Sequence, residues 1–547
     1  MALITVAKKE LLGLAWAELT DDELSQKITD LGMPVEKITD SEISVDVTPN
    51  RPDMFSVEGL ARALSSFAGV KAGLRTYSAK DSGITLTADK SVRKVRPFIV
   101  AAVAKNVKLD EPLLKSLVAL QEKLHDTVGR KRRKVSMGFT DLDKLKPPFF
   151  YKAVKTTEGA FIPLDSTELM PPGEILSTHP KGKEYGYILE GHKRFPLITD
   201  SEGTVVAMPP IITAESVKIT PSTKNIFIDI TGTSEQSIHD CLKIVCCALA
   251  DRGAEIRTVT ISRGATKLQT PDFSPIENSV SLGRINKLLG SDFDPEEAKE
   301  YLERMGHGVE LGERKGRLSV KSPPYRIDIL HEVDITEDVA IPYGYNNFAP
   351  TLPQFVSVGK ASPDEMRGAV ISEIMLGLGF NEILAPYITS KETNFIKPLL
   401  GEHPAIHIKN PLTVELTMFR TWCIPSLLEI LARNKDEKMP QKLFELGHAA
   451  GLENGKPVEK RKLAAAVCGP KACFSEIRSF VEALLLELGM KCEFGPLEKH
   501  PTFIPGRAAE ILLGGKPIGV FGEIHPQVLN NFGIEQPVAA FEIELDE

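Results

Sequence analysis

The sequence predicts an α+β to α/β multidomain protein, and three observations carry that prediction. The chain has 547 residues, which at about 100–200 residues per domain is room for roughly three to five domains. Apolar patterns of period two, the mark of half-buried strands, recur among patterns of period 3.6, the mark of amphipathic helices. Two polar, proline-bearing stretches, 262–279 and 349–362, interrupt those patterns and are expected to be linkers.

Composition narrows the class. Hydrophobic residues make up 42%, charged residues 26%, and mean hydropathy is −0.08, values that suit a soluble globular protein and exclude disorder. Sixty-six Lys+Arg against 74 Asp+Glu give a net charge of −8, so nucleic acid can be met only by local patches. Twenty-four Phe against 9 Tyr and 2 Trp suit buried cores better than exposed stacking platforms. Seven irregularly spaced cysteines with no C-x-x-C pair exclude a disulfide framework and a zinc ribbon, and the odd number fits a reducing compartment. The N-terminus carries no apolar segment behind a basic start, and no apolar run reaches about 18 residues. A cytoplasmic chain without a membrane segment is expected. The signatures G-x-x-x-x-G-K-[ST], H-E-x-x-H and G-x-S-x-G are absent.

Along the chain, Ile43-Ser44-Val45-Asp46-Val47 alternates as a strand and leads into Thr48-Pro49-Asn50-Arg51-Pro52-Asp53. Two prolines bracketing Asn-Arg make a rigid turn, which either presents Arg51 or merely connects. Val57, Leu60, Ala61, Leu64 and Phe67 then form a helical stripe closed by Gly69. A second stripe, Leu113 to Leu124, leads to Arg130-Lys131-Arg132-Arg133-Lys134, the densest basic run, readable as a phosphate contact or as a solvated loop. Ile226-Phe227-Ile228-Asp229-Ile230-Thr231-Gly232 is a nearly continuous apolar strand with one carboxylate in it. Such a group needs a partner or a task. Asp294-Pro295-Glu296-Glu297 opens a helix that runs to Met305-Gly306. A short strand at Arg317-Leu318-Ser319-Val320 and a helix over 332–341, stopped by Pro342, follow. Ser362-Pro363-Asp364-Glu365 opens a helix whose apolar face carries Met366, Val370, Ile371, Ile374 and Leu378 and which ends at Gly377-Leu378-Gly379.

Asp334, Glu337 and Asp338 fall at i, i+3 and i+4, on one helix face, and Asp328 precedes them. Like charges brought together need protons, basic partners or a hard cation, and all-oxygen ligation favours Mg²⁺. The competing reading is a set of acids favoured by a helix N-terminus.

At this cluster, followed by Tyr343-Gly344-Tyr345-Asn346-Asn347, the sequence resembles the phenylalanyl-tRNA synthetase beta-subunit family. The resemblance extends to Thr48–Asp53 with Ser56-Val57-Glu58-Gly59, to Gly138-Phe139-Thr140-Asp141-Leu142-Asp143, to Met208-Pro209-Pro210-Ile211-Ile212 and to Asp229-Ile230-Thr231-Gly232. It covers essentially the whole chain in the family's archaeal and eukaryotic form. It implies four modules: an N-terminal module over 1–85, a tRNA-editing module over 86–268, a small helical magnesium-binding domain over 269–348, and a class II synthetase-like antiparallel sheet with helices over 349–547. Asp328, Asp334, Glu337 and Asp338 are then the implied Mg²⁺ ligands.

The C-terminal module resembles a class II catalytic fold without its chemistry. Pro363 to Pro386 is similar to the first motif, which builds subunit interfaces, and Phe419-Arg420-Thr421 with Leu443-Phe444-Glu445-Leu446-Gly447 outlines the second. Thr421-Trp422 stand where an acidic residue normally follows the arginine, and no third motif is present. The resemblance therefore implies that ATP and phenylalanine bind on an alpha subunit in an (alpha-beta)₂ tetramer that acts on tRNA(Phe). A pocket shaped for phenylalanine cannot strongly reject an added hydroxyl, so hydrolysis of mischarged tyrosyl-tRNA(Phe) at a second site is expected. Asp229 and Thr231, on one side of a strand, with Leu197, Thr213 and Glu215, are the implied editing pocket; no catalytic nucleophile is assigned. A stand-alone deacylase and a tRNA-binding scaffold without active editing are the alternatives.

Overall fold

The computed structural model describes residues 2–312, 316–353, 357–401 and 403–545. It divides into two compact units, Met1–Leu352 and Pro353–Glu547. Part of the expected linker over 349–362, residues 354–356, lies outside the described residues.

The first unit opens with a three-stranded antiparallel sheet in which Glu42–Val47 lies between Ala2–Ala7 and Val35–Ile38. The helix Val57–Phe67 forms as its stripe predicts, with Ser56 capping the amide of Gly59. Gly59 is required there. A side-chain carbon would meet the carbonyl oxygen of Asp53 at 1.7 Å, so only glycine lets the helix press onto the turn before it. The proline-bracketed turn does not present Arg51 to solvent. Its guanidinium is buried and paired to Asp53 through two bonds of 2.9 Å.

A ten-stranded sheet follows. Its order is Ile212–Thr213, Val205–Met208, Arg194–Thr199, Phe149–Lys155, Lys80–Ala88, Glu255–Arg263, Phe98–Lys105, Ile226–Gly232 and Val135–Asp141, with Thr266–Thr270 paired onto Glu255–Arg263. Lys80–Ala88 runs parallel to both neighbours, and the other pairings are antiparallel. Strand Ile226–Gly232 is buried throughout because both of its edges are paired and both faces are covered, one by the helix Glu235–Asp251. Two boundaries move. Lys80–Ala88 belongs to this sheet, so the module starts before 86. The polar stretch 262–279 is mostly strand, because Thr266–Thr270 extends the sheet and Thr270 Oγ1 donates to the carbonyl of Ala101 at 2.7 Å.

The small domain is not purely helical. Ile276–Ser281, Arg317–Ser322 and Gly308–Leu311 form an antiparallel sheet, and helices Leu282–Leu289, Pro295–Arg304 and Glu332–Tyr343 share its core. Asp294 and Glu297 close the expected capping box. Pro342 does not stop the last helix but sits inside its final turn.

The second unit is a seven-stranded sheet, with Asn381–Glu382 parallel to Gln441–Glu453 and the remaining pairings antiparallel. The helix Pro363–Gly377 forms as expected, but its stripe divides. Ile371 and Met375 are buried and Ile374 and Leu378 are partly buried, while Met366, Val370 and Leu376 are exposed.

Candidate functional site

A cavity of about 220 Å³ opens beside strands Ile226–Gly232 and Val135–Asp141. Ser136, Gly138 and Asp229 line it from the sheet, and Pro209, Pro210, Ile211 and Thr213 form a wall. Asp229 is 2% exposed and its Oδ2 has no hydrogen-bond partner among the described residues. Burial therefore pushes its carboxyl up to about 7. Gly138 pairs directly with Asp229, and a side-chain carbon there would stand 2.6 Å from Oδ2. Glycine thus keeps open the space over the carboxylate.

A charged lattice stiffens the rim. His125 Nε2 accepts from the amide of Met137 at 2.9 Å, so the ring is neutral and its Nδ1–H faces Glu122 Oε1 at 3.3 Å. Burial lowers the His125 pKa, in agreement with that tautomer. Burial would raise Glu122, but the bonds from His125 and Arg132 hold it down at about 2. Arg132 donates to Glu122 at 2.8 Å and to the carbonyl of Ile211 at 3.0 Å, with its guanidinium 4.1 Å from the Tyr185 ring centre. Residues 130–132 all have positive φ, a turn that drives Arg132 inward. The basic run is therefore neither wholly a phosphate patch nor a solvated loop: Arg132 is structural, and Arg130, Lys131 and Arg133 are exposed.

Of the expected pocket residues, the structure brings Asp229 and Thr213 to the cavity. Thr231 lies beneath it, fully buried, with Oγ1 accepting from Arg96 Nε at 2.8 Å. Leu197 is not a lining residue, because its side chain is enclosed in the core of the sheet against Gly159. Glu215 is not one either; it is held by Lys218 and accepts from the amide of Asp165. Ser136, Arg96, Glu122 and His125 escaped sequence reasoning, and Arg132 was marked only as part of the basic run. The period-two register of 135–141 could have revealed Ser136.

The acids of the small domain are largely committed. Asp328 takes Arg326 at 2.8 and 2.9 Å, and Asp338 Oδ2 takes Arg326 and His307, both at 2.6 Å. Burial would raise Asp338, but Arg326 and His307 hold it at about 2. Asp334 Oδ2 accepts from the amides of Leu330 and His331, both at 2.7 Å, in the helix-capping position. Among the described residues no three His, Cys, Asp or Glu side chains are gathered as a metal cage. Spacing alone could not show that Arg326 neutralises two of the four. Glu337 is exposed and makes no ion pair among the described residues; partial desolvation together with Asp338, Asp334 and Asp328 raises its pKa against the weaker pull of Arg326.

In the second unit, Arg420 is 1% exposed and forked onto Glu445 by two bonds of 2.8 Å. Its Nε donates to the carbonyl of His448 at 2.8 Å. The guanidinium of the second-motif-like segment is thus spent on the fold.

Comparison with known proteins gives three matching family models. Residues 99–244 match the B3/4 domain, 279–345 the tRNA synthetase B5 domain, and 349–545 the phenylalanyl tRNA synthetase beta chain CLM domain. The phenylalanine–tRNA ligase beta subunit of Thermococcus sibiricus is 39% identical over 554 residues, covering 100% of this chain and 98% of that protein. That of Archaeoglobus fulgidus is 41% identical over 548 residues, covering 100% and 98%. A crystal structure of an N-terminal fragment of the phenylalanyl-tRNA synthetase beta-subunit from Pyrococcus horikoshii is 38% identical. It covers 63% of this chain and 100% of the fragment, with a TM-score of 0.61.

Proposed function

Because this chain belongs to the phenylalanine–tRNA ligase beta-subunit family, we propose that its central cavity hydrolyses tyrosyl-tRNA(Phe) made in error by the ligase. The observation that carries this is the unpartnered, buried carboxylate oxygen of Asp229 facing that cavity. A buried acceptor without a partner costs stability, and a ligand hydroxyl would relieve it. Phenylalanine brings no such hydroxyl, so the site selects the wrong product and spares the right one. Hydrolysis adds a water oxygen to the ester carbonyl and breaks its bond to the tRNA terminal ribose, releasing tyrosine and a free ribose hydroxyl. The chain's residues position the side chain; none is assigned as a nucleophile. Co-expressed with its alpha subunit, the Asp229→Ala chain should accumulate tyrosyl-tRNA while phenylalanine charging continues. Unchanged mischarging would reject the cavity.

Charging itself belongs to the alpha subunit, and the engagement of Arg420 by Glu445 supports that division, since no exposed guanidinium is left at this position for a triphosphate. The exposed Met366, Val370 and Leu376 on helix Pro363–Gly377 supply an apolar face suited to assembly as an (alpha-beta)₂ tetramer. Ile374 and Leu378, partly buried in the core, hold the fold instead. Of Asp328, Asp334, Glu337 and Asp338, the last three would hold Mg²⁺: Glu337 makes no ion pair among the described residues, and the bonds at Asp334 and Asp338 engage only Oδ2, whereas Asp328 is forked onto Arg326 through both oxygens and would have to exchange that partner for the ion. The ion would tie the start of helix Glu332–Tyr343 to the preceding loop and take no part in hydrolysis.

A further inference from the structure

Two hydroxyls and one arginine beside Asp229 fix the direction of a hydrogen bond into the cavity. Arg96 is 1% exposed, and no ion pair joins it to a carboxylate among the described residues; its donors go instead to oxygens. Nε donates to Thr231 Oγ1 at 2.8 Å, Nη2 to the Thr231 carbonyl at 2.8 Å and to Ser136 Oγ at 3.2 Å, and Nη1 to the Arg133 carbonyl at 3.1 Å. Ser136 Oγ and Thr231 Oγ1 are 3.1 Å apart. An arginine can only donate, so both hydroxyls accept from it. Each hydroxyl owns a single proton. One of the two protons lies in the Ser136–Thr231 bond, and the other must point elsewhere. Thr231 is 0% exposed and Ser136 lines the cavity. The arrangement that wastes no bond has Thr231 donating to Ser136 and Ser136 donating into the cavity.

The register supplies the second half. Thr231 pairs with Ser136, and Asp229 pairs with Gly138, so Ser136 is the diagonal neighbour of Asp229 on the same face. Gly138, directly opposite Asp229 and two residues along the strand from Ser136, has no side chain to fill the gap. A forced donor and an unpartnered acceptor therefore flank one small open space.

We propose that a single phenolic oxygen of the ligand fills that space, accepting from Ser136 Oγ–H and donating to Asp229 Oδ2, with Arg96 as the positioning residue that aims Ser136. This rests on the reading of the cavity as tyrosine-selecting and names how the selection is made. A phenylalanine ring leaves both polar partners buried and unpaired, which is why a two-point site rejects it more strongly than either contact alone.

The test is the ratio of kcat/KM for deacylation of preformed tyrosyl-tRNA and phenylalanyl-tRNA by the assembled ligase complex. Ser136→Ala should lower that ratio roughly 10-fold, the size of one hydrogen bond. Arg96→Lys should lower it in the wild-type background and add little in the Ser136→Ala background. Asp229→Ala separates the two levels of the argument. If Asp229→Ala collapses the ratio and Ser136→Ala leaves it unchanged, the Ser136 assignment is overturned while the tyrosine-selecting cavity stands. If Asp229→Ala leaves the ratio unchanged, that reading fails, and this one with it. An equal loss from Arg96→Lys in both backgrounds would overturn the positioning role of Arg96. Should the Arg96 variant not fold, the Ser136 and Asp229 variants decide the matter alone.

Discussion

Asp229 and Glu445 are both buried carboxylates in the middle of a strand in a large sheet, and their surroundings treat them in opposite ways. Glu445, flanked by Ala464, is forked onto Arg420, and each of its oxygens is satisfied. Asp229, flanked by Ala101 and Gly138, keeps one oxygen without a partner and faces an open cavity. Charge that is fully paired holds a fold together and has nothing left to offer a ligand. Charge left unpaired destabilises the fold and is retained where it meets a substrate. On the proposed reading, the C-terminal unit spends its buried charge on structure and the central module offers its own to a ligand.

The largest expected effect follows from breaking the paired site. Arg420→Ala strands Glu445 without its partner in the core and should destabilise the C-terminal unit by about 3–5 kcal/mol. Calorimetry of the complex checks this, and a variant that melts like wild type would erase the contrast. The unpaired site should respond with the opposite sign. The Asp229 carboxyl titrates near 7 in the fold against an ordinary value of 3.8. The folded state thus holds a proton that the unfolded chain releases. Its penalty is absent below about pH 3.8, grows as pH rises between the two values, and is complete above about 7. Asp229→Asn should therefore stabilise the central module by a few kcal/mol at most at pH 8 and by almost nothing at pH 4. Melting curves that stay parallel across this range would show Asp229 to be compensated after all.

The acids around Arg326 fall between the two extremes, since Asp328 and Asp338 are paired and Glu337 is not. Asp334→Asn should remove most of the stabilisation that added Mg²⁺ confers, roughly 1 kcal/mol or less if binding is weak. Identical melts with and without Mg²⁺, in both forms, would leave Arg326 and the helix N-terminus as the whole explanation. Val370→Glu should change the melting of the chain least, by about 0.5 kcal/mol or less, because the side chain is half exposed. Its effect should appear instead in the mass of the complex, and an intact tetramer would release this helix face from the interface.

Much of this was legible in the sequence, and the failures have a common cause. A lone carboxylate in the apolar run Ile226–Gly232 marked Asp229, and the period of the run placed Thr231 on its side. What the run could not show is which of the two has a partner, because Arg96 reaches Thr231 from 135 residues away. Leu197 and Thr213 looked alike as pocket residues, yet only Thr213 follows the turn that becomes the wall. The strand Ile276–Ser281 overlaps the stretch 262–279 that the sequence marks as a linker, because Glu277, Asn278 and Ser279 are polar and Pro275 precedes it. Arg326 stood two residues before Asp328 in plain view, and its charge was the signal that the acids would be shared between a cation of the chain and any metal. Helix Pro363–Gly377 is apolar on more than one side, so periodicity found the helix without saying which side meets the sheet.

The most direct test of the central claim is the single-turnover rate at which the assembled complex hydrolyses preformed tyrosyl-tRNA when Asp229 is replaced by alanine. If the unpaired carboxylate reads the tyrosine hydroxyl, the rate constant over apparent affinity should fall roughly 10-fold or more, with phenylalanyl-tRNA hydrolysis not falling in step. A variant that deacylates tyrosyl-tRNA as fast and as selectively as the wild type would contradict the account.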